Sequence, residues 1–353
     1  MQIGIVCKVI DNFGDAGFSL RLAKALAAQS HHVVLLHDNP ATFDALYPIE
    51  EIAGLSLLDA RDTPHKLKEF GKLDLIVEPF GTSSEQTTHR FDLELKRICA
   101  QTPWVVIDYL SSEDWVEDFH LSQSIDPSTG HIFTFFYPGF TEKTGGLIHC
   151  DYPEHLKNMS KQCSDDNLKV FVFSYPNAPL DELIDCCNTT GNNTRIYIAG
   201  PKPTGIEAAC VTELAFCPQG DFDELLAEHD VVFVRGEDSF VRAQLAGRPM
   251  IWQIYPTDDG AHAEKLSKFF NRYSAGLTLA CKKALWDCWA SWNSLNNTGA
   301  FSTSWQGLQV HLPELQAHAL KWQSRLFSGP ELVSQLLTWR LLQHPTLSEQ
   351  PDI

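Results

Sequence analysis

Along the first third of the chain, short and mainly apolar runs alternate with stretches whose apolar residues recur every three or four positions. The runs cover residues 3–10, 33–37, 73–77 and 104–107, and the helical patterns fall near 20–28 and 91–100. Continuous rather than alternating apolar runs predict strands covered on both faces, so this part reads as a parallel sheet flanked by helices. A polar segment at 155–167 interrupts the rhythm. It restarts with K-V-F-V-F-S-Y, R-I-Y-I-A-G, E-L-A-F-C-P, D-V-V-F-V-R-G and P-M-I-W-Q-I-Y-P, separated by candidate helices such as F-D-E-L-L-A-E-H and F-V-R-A-Q-L-A-G. This predicts a second doubly wound α/β unit. A Trp-rich helical region follows, then helical patterns at 315–327 and 331–342 divided by Gly329-Pro330.

The length of 353 residues suits two domains of ~150 residues each. The expected division is 1–155 for the first, completed by a C-terminal helix at about 330–353, and 156–329 for the second. In open sheets of this kind ligands bind beyond the carboxyl ends of the strands, so two such lobes are expected to face a central cleft. A composition of 44% hydrophobic and 20% charged residues is globular. The net charge of -18 argues against direct nucleic-acid binding and favours solubility or the steering of a basic partner. The ten cysteines are scattered without a C-x-x-C pair and read mainly as small buried hydrophobes. No apolar stretch is long enough for a membrane span, and the N-terminus lacks signal-peptide features. The expected location is cytoplasmic, where the N-x-S/T sites at Asn158, Asn188, Asn192 and Asn296 carry no glycosylation meaning.

No G-x-G-x-x-G follows the first strand and no P-loop occurs, so neither a dinucleotide nor a P-loop nucleotide site is supported. The first bend reads D-N-F-G-D-A-G instead, with Asp11, Asn12, Phe13, Gly14 and Asp15 between strand and helix. Carboxylates here suit a cation or a hydroxyl-bearing acceptor. Asp11 and Asn12 can equally be turn formers, and Asp15 a helix cap.

The second unit offers V-R-G-E-D-S-F-V-R-A-Q, where Ser239 can cap a helix whose free N–H groups would receive a diphosphate. Arg235 and Arg242 can add charge beside Gly236. Glu237 and Asp238 would repel phosphate, so one of them can accept from sugar hydroxyls, or both can form a solvated turn. In Q-I-Y-P-T-D-D-G-A-H, Gln253 and Tyr255 suit a nucleobase, with Asp258, Asp259 and His262 near the next helix start, although Tyr255 can also be ordinary packing. Phe173 and Tyr175 of F-S-Y-P-N, the E-P-F-G at 78–81 and the D-Y-L-S-S-E-D-W at 108–115 are weaker candidates at other strand ends.

Together, C-K-V-I-D-N-F-G-D-A-G, V-R-G-E-D-S-F-V-R-A-Q-L-A-G-R-P and W-Q-I-Y-P-T-D-D-G-A-H resemble the EarP family, bacterial protein-arginine rhamnosyltransferases that act on translation elongation factor P (EF-P). The resemblance spans essentially the whole chain. It departs from the family pattern at Ala16, at Phe18-Ser19, and at Thr257 and Gly260. It implies a GT-B fold with C-terminal helices packing back on the first domain. The implied reaction is an inverting transfer of L-rhamnose from dTDP-β-L-rhamnose to one arginine of EF-P, which activates EF-P for rescue of ribosomes stalled at polyproline. The first domain would be the acceptor domain and the second the nucleotide-sugar domain.

By the same resemblance Asp15 is the candidate general base and Asp11 its acceptor-side partner. Arg235, Gly236, Glu237, Asp238, Ser239, Gln253 and Tyr255 fall in the nucleotide-sugar region, with Phe173 and Tyr175 near the base or sugar. No metal, cofactor or membrane partner is expected. A guanidinium loses its proton near pKa ~12.5–13.8 and an aspartic acid near ~3.9, a gap of about 12 kcal/mol. Asp15 would therefore orient the arginine and receive the proton only as the new bond forms. A sugar or lipid acceptor, or a non-catalytic nucleotide-sugar-binding protein, are the alternatives.

Overall fold

The computed structural model describes residues 1–10, 13–47, 52–60, 72–81, 99, 101–127, 130–157, 159, 167–189, 193–200, 209–257, 260–295 and 300–343. Asp11, Asn12, Asp258 and Asp259 lie outside the described residues, as does most of the helix expected at 91–100. The contacts divide the chain into two compact units, Met1–Asp151 with Gly329–Ile353, and Tyr152–Ser328.

The first unit begins β1 (Gln2–Cys7), α1 (Phe13–Ala28), β2 (His32–His37), α2 (Pro40–Leu46), β3 (Leu55–Asp59), β4 (Leu75–Pro79) and β5 (Trp104–Ile107). It continues through α3 (Trp115–Phe119), β6 (Gln123–Ile125) and β7 (Ile132–Phe136). The described strands form one seven-stranded sheet in the order β3-β2-β1-β4-β5-β7-β6. β1 pairs in parallel with β2 on one side and β4 on the other, so the chain reverses its winding direction at β1. Ile3, Ile5, Val33, Leu35, Leu75, Val77, Val105 and Ile107 point to one core, which is covered by Leu20, Leu22 and Leu26 of α1.

One strand differs from the wholly parallel expectation. β6 pairs with β7 antiparallel at the sheet edge. Its three residues, Gln123 to Ile125, are all exposed, so no apolar run marks it in the sequence.

The second unit contains α4 (Glu154–Lys157), β8 (Leu168–Val172), α5 (Leu180–Thr189), β9 (Thr194–Ala199), β10 (Val211–Leu214), α6 (Gln219–Glu228), β11 (Val231–Arg235), α7 (Asp238–Leu245) and β12 (Met250–Gln253). Its described strands are all parallel, in the order β10-β9-β8-β11-β12, with the reversal at β8. Helices α8 (Ala261–Tyr273), α9 (Leu279–Trp292), α10 (Phe301–Gln309) and α11 (Leu312–Phe327) follow. The Trp-rich region is core: Trp289, Trp292 and Trp305 are fully buried, the last two against Phe233 of β11.

The last described helix, α12 (Leu332–Gln343), inserts Leu332, Val333 and Leu336 into the core of the first unit. Its predecessor α11 stays with the second unit, where the Gln323 amide donates to the Leu245 carbonyl at 2.7 Å. Only one of the two terminal helices therefore packs back. The chain re-enters the first unit through a bridge between Leu147 and Glu331, beside Gly146 at φ +76. A Cβ on Gly146 would sit 2.1 Å from the Pro330 carbonyl oxygen, so glycine alone fits there.

Beside this bridge, His120 Nδ1 accepts the Tyr137 N–H at 3.1 Å, and its ring meets Phe136 edge-on. Burial pushes the imidazole down to about 4. An unfolded chain takes up that proton near the ordinary value of 6.5, whereas the folded protein does not. The contribution of His120 is therefore complete above pH ~6.5 and is lost as pH falls toward ~4. Urea midpoints of wild type and His120→Asn measured from pH 7 to 4.5 should converge as pH falls, because asparagine keeps an acceptor and does not titrate; a constant gap would contradict this.

Candidate functional site

Both chain reversals place side chains with chemistry at the carboxyl ends of their strands. In the first unit, β1 hands over to α1, and Phe13 and Gly14, both half-buried, open that helix. Asp15 lies in the first turn and is 4% exposed. One of its oxygens, Oδ2, accepts the Ile10 N–H at 2.7 Å. A first-turn carboxylate that reaches back to the Ile10 N–H ties the end of the strand segment to the start of α1 and fixes the bend between them. Asp15 therefore lies inside α1 rather than capping it, and it brings a carboxylate to the strand end. Beneath it the Cys7 thiol donates to the Asp15 carbonyl. Burial first, and the nearby Asp15 and Asp38, push that thiol up to about 12, so Cys7 stays neutral.

The neighbouring strand ends supply aromatic rings. Phe80 follows β4 with φ 63, a left-handed conformation that is costly for a bulky residue. Its ring stacks on Tyr109 at 4.6 Å and meets Phe18 of α1 at 5.0 Å. The sequence marks E-P-F-G and D-Y-L only weakly, and a φ value is not visible in it. Glu78, by contrast, is occupied inside the sheet, where its Oε2 accepts from the Trp104 indole at 3.0 Å.

In the second unit the ends of β8, β11 and β12 converge. The Arg235 guanidinium lies 4.3 Å from the centre of the Phe173 ring and 4.6 Å from that of Tyr175. It also donates to the Ser174 carbonyl at 3.3 Å. Gln253 joins the same loop from β12: its Oε1 accepts the Tyr175 N–H at 2.7 Å and its Nε2 donates to Asn177 at 3.0 Å. Tyr255 meets Tyr175 edge-on at 5.6 Å and is 54% exposed, so its ring is available to a ligand.

Gly236 turns the chain at φ 59; its N–H donates to the Gln253 carbonyl, and its own carbonyl accepts the Trp252 indole at 2.8 Å. Helix α7 then starts at Asp238, with Glu237 as the N-cap residue. Glu237 pairs with Lys265 of α8 at 3.0 Å, a partner separated from it along the chain by α7, β12 and the loop that follows.

Two expected roles change. Ser239 does not cap α7. It lies within the helix, where its hydroxyl accepts the Arg235 N–H at 3.1 Å and donates to the Arg235 carbonyl at 2.5 Å. It therefore holds Arg235 in place. Arg242 is unsuited to a phosphate, because it is fully buried and makes a two-pronged pair with Asp223 of α6, at 3.0 and 2.6 Å. Its position one helical turn beyond Ser239 points it into the α6–α7 contact.

An exposed aromatic, an arginine held by rings, and a helix N-terminus meet at one strand-end crevice, an arrangement whose chemistry suits a nucleotide. The whole fold is that of GT-B glycosyltransferases. The chain is similar to a spinosyn rhamnosyltransferase, SpnG, at 13% identity with a TM-score of 0.57, covering 96% of this chain and 99% of that one. It is also similar, at 25% identity and a TM-score of 0.64, to a structure described as the basis for EarP-mediated arginine glycosylation of translation elongation factor EF-P, over 97% of this chain and 99% of that one.

The model of the family described as Elongation-Factor P (EF-P) rhamnosyltransferase EarP matches residues 3–340, and the chain belongs to this family of glycosyltransferases. A protein-arginine rhamnosyltransferase of Pseudomonas putida is 32% identical over 372 residues, 94% of this chain and 97% of the relative. One of Shewanella oneidensis is 30% identical over 392 residues, 94% and 96% respectively. Among the described residues no helix is long and apolar enough to cross a membrane.

The Arg242–Asp223 pair yields a direct test. Asp223→Ala leaves a guanidinium buried without its carboxylate, and the second unit should lose about 3–5 kcal/mol. Denaturant unfolding followed by tryptophan fluorescence measures this; a loss under ~1 kcal/mol would mean that the pair is solvated.

Proposed function

We propose that this chain transfers L-rhamnose from dTDP-β-L-rhamnose to an arginine side chain of EF-P with inversion at the sugar. The observation that carries the reading is the family match over residues 3–340, in which Asp15 supplies a carboxylate at the first strand end. The first unit is the acceptor side and the second the donor side. An arginine and a diphosphate sugar demand opposite electrostatics, which the two strand-end clusters supply.

On the acceptor side, Asp15 takes hydrogen bonds from the guanidinium and aims one nitrogen at the anomeric carbon. As the C–N bond forms, the nitrogen becomes acidic and its proton passes to the carboxylate. Asp11, four residues earlier, neutralises the same cation in this proposal.

On the donor side, Tyr255 and the Phe173–Tyr175 pair receive the thymine. The α7 N-terminus and Arg235 stabilise the charge that grows on the departing diphosphate. Ser239 positions Arg235 for this, and Glu237 or Asp238 accepts from sugar hydroxyls. The proposed reaction uses no metal or cofactor, and its setting is the cytoplasm, where EF-P works.

Asp15→Asn keeps an acceptor for the Ile10 N–H and removes the base. Transfer, followed by the intact mass of EF-P incubated with dTDP-rhamnose, should fall about 10²–10⁴-fold while calorimetric affinity for dTDP is unchanged. Retained transfer would discard Asp15 as the base, and lost dTDP binding would place it on the donor side. Arg235→Ala should weaken dTDP-rhamnose binding about 10–100-fold, the worth of a charged hydrogen bond. Unchanged donor affinity would remove Arg235 from the diphosphate site.

A further inference from the structure

The helices that close the second unit gather three side chains that the transfer chemistry leaves unused. Cys281 lies in the first turn of α9, His311 is the N-cap residue of α11, and Glu314 lies in the first turn of α11. Their ligand atoms, a sulfur, an imidazole nitrogen and a carboxylate oxygen, all lie within 4.8 Å of one another. Atoms bonded to one tetrahedral zinc at ~2.0–2.3 Å sit about 3.3–3.8 Å apart, so side-chain shifts of about 1 Å would close the set. Cys281 is buried while His311 and Glu314 are half-exposed, which gives an ion a route from solvent.

The carboxylate is already aimed. Thr278 donates its N–H to Glu314 Oε1 at 2.7 Å and its hydroxyl to Oε2 at 2.9 Å. The Thr278 hydroxyl also accepts the Cys281 N–H at 3.3 Å. Donors of this kind orient a ligating carboxylate, and each oxygen has a second lone pair to offer. The same bonds, with the Cys281 thiol also hydrogen-bonded to Glu314, fasten α9 to α11 without any ion, and that simpler role accounts for Thr278, Glu314 and Cys281. His311 makes none of these hydrogen bonds and meets Glu314 through charge alone.

We propose that Cys281, His311 and Glu314 form a zinc-binding site in the second unit, with water as the fourth ligand. A mixed sulfur, nitrogen and oxygen set selects zinc over magnesium or calcium, which prefer oxygen alone. Zinc takes the place of the thiol proton, which leaves to solvent, and no electron is transferred. Thiolate and carboxylate together balance the two positive charges of the ion. None of the three residues belongs to the strand-end clusters, so the ion holds the α9–α11 contact and takes no part in the transfer.

The test uses the full-length protein, stripped with chelator, kept reduced and titrated with Co²⁺ in place of zinc. Tetrahedral d–d bands and a thiolate-to-cobalt charge-transfer band should saturate at one cobalt per chain and be bleached by zinc. Cys281→Ser should abolish the charge-transfer band. His311→Ala leaves the Thr278–Glu314 fastening intact and should lower zinc affinity at least about tenfold. Absence of the band in wild type, its persistence in Cys281→Ser, or unchanged affinity in His311→Ala would each overturn the proposal. The readout involves neither EF-P nor a sugar, so its failure is distinct from a failure of the transfer reading.

Discussion

Each unit is organised by a central strand that pairs in parallel on both sides, β1 between β2 and β4, and β8 between β9 and β11. Connections leaving such a strand diverge to opposite sides, and a crevice opens at its carboxyl end. The strand interiors are largely apolar on both faces, and the carboxylate they do hold, Glu78, is tied up by the Trp104 indole. Polar chemistry is therefore forced to the ends, where backbone groups also need partners. Asp15 on the Ile10 N–H and Gly236 between Gln253 and Trp252 satisfy backbone and shape the crevice in the same stroke.

Rigidity at the second crevice comes from beneath it. The Arg242–Asp223 pair clamps α7 to α6, and Phe240 of α7 stacks on Trp252 of β12 at 3.9 Å. A buried ion pair adds little net stability, since desolvation of both partners offsets most of its attraction. Its effect here is orientation: it fixes the helix whose first turn holds Arg235 through Ser239. Hydrogen-bond donors set in advance around a leaving group need no rearrangement when charge develops.

The strands and their ends were legible because burial on both faces writes itself as unbroken apolar runs. Phe173, Tyr175, Arg235, Gln253 and Tyr255 follow such runs, and the structure brings them together. What escaped depends on partners remote in sequence. Arg242 looks like a phosphate ligand until Asp223, 19 residues earlier, is found against it. Lys265 was invisible as the partner of Glu237 for the same reason. The edge strand β6 escaped because an exposed edge needs no apolar residues. The strained backbone of Phe80 and the meeting of Cys281 with His311 and Glu314 exist only in three dimensions.

The chain holds its own arginines in ways that bear on how it would treat a foreign one. Arg235 rests between rings, which attract the cation through their π faces and leave its N–H groups directed elsewhere. Arg242 meets a carboxylate with two nitrogens, deep in a core where no reagent reaches. A guanidinium that is to become a nucleophile needs the second kind of contact within reach of the donor sugar, because a carboxylate, unlike a ring face, can take the proton that the new C–N bond releases. Rings such as Phe80 and Tyr109 could hold such a side chain but could not deprotonate it. In the proposed reaction that difference assigns the chemical step to Asp15, and it explains why the acceptor side of the fold carries acids where a phosphate-binding bend would carry bare glycines.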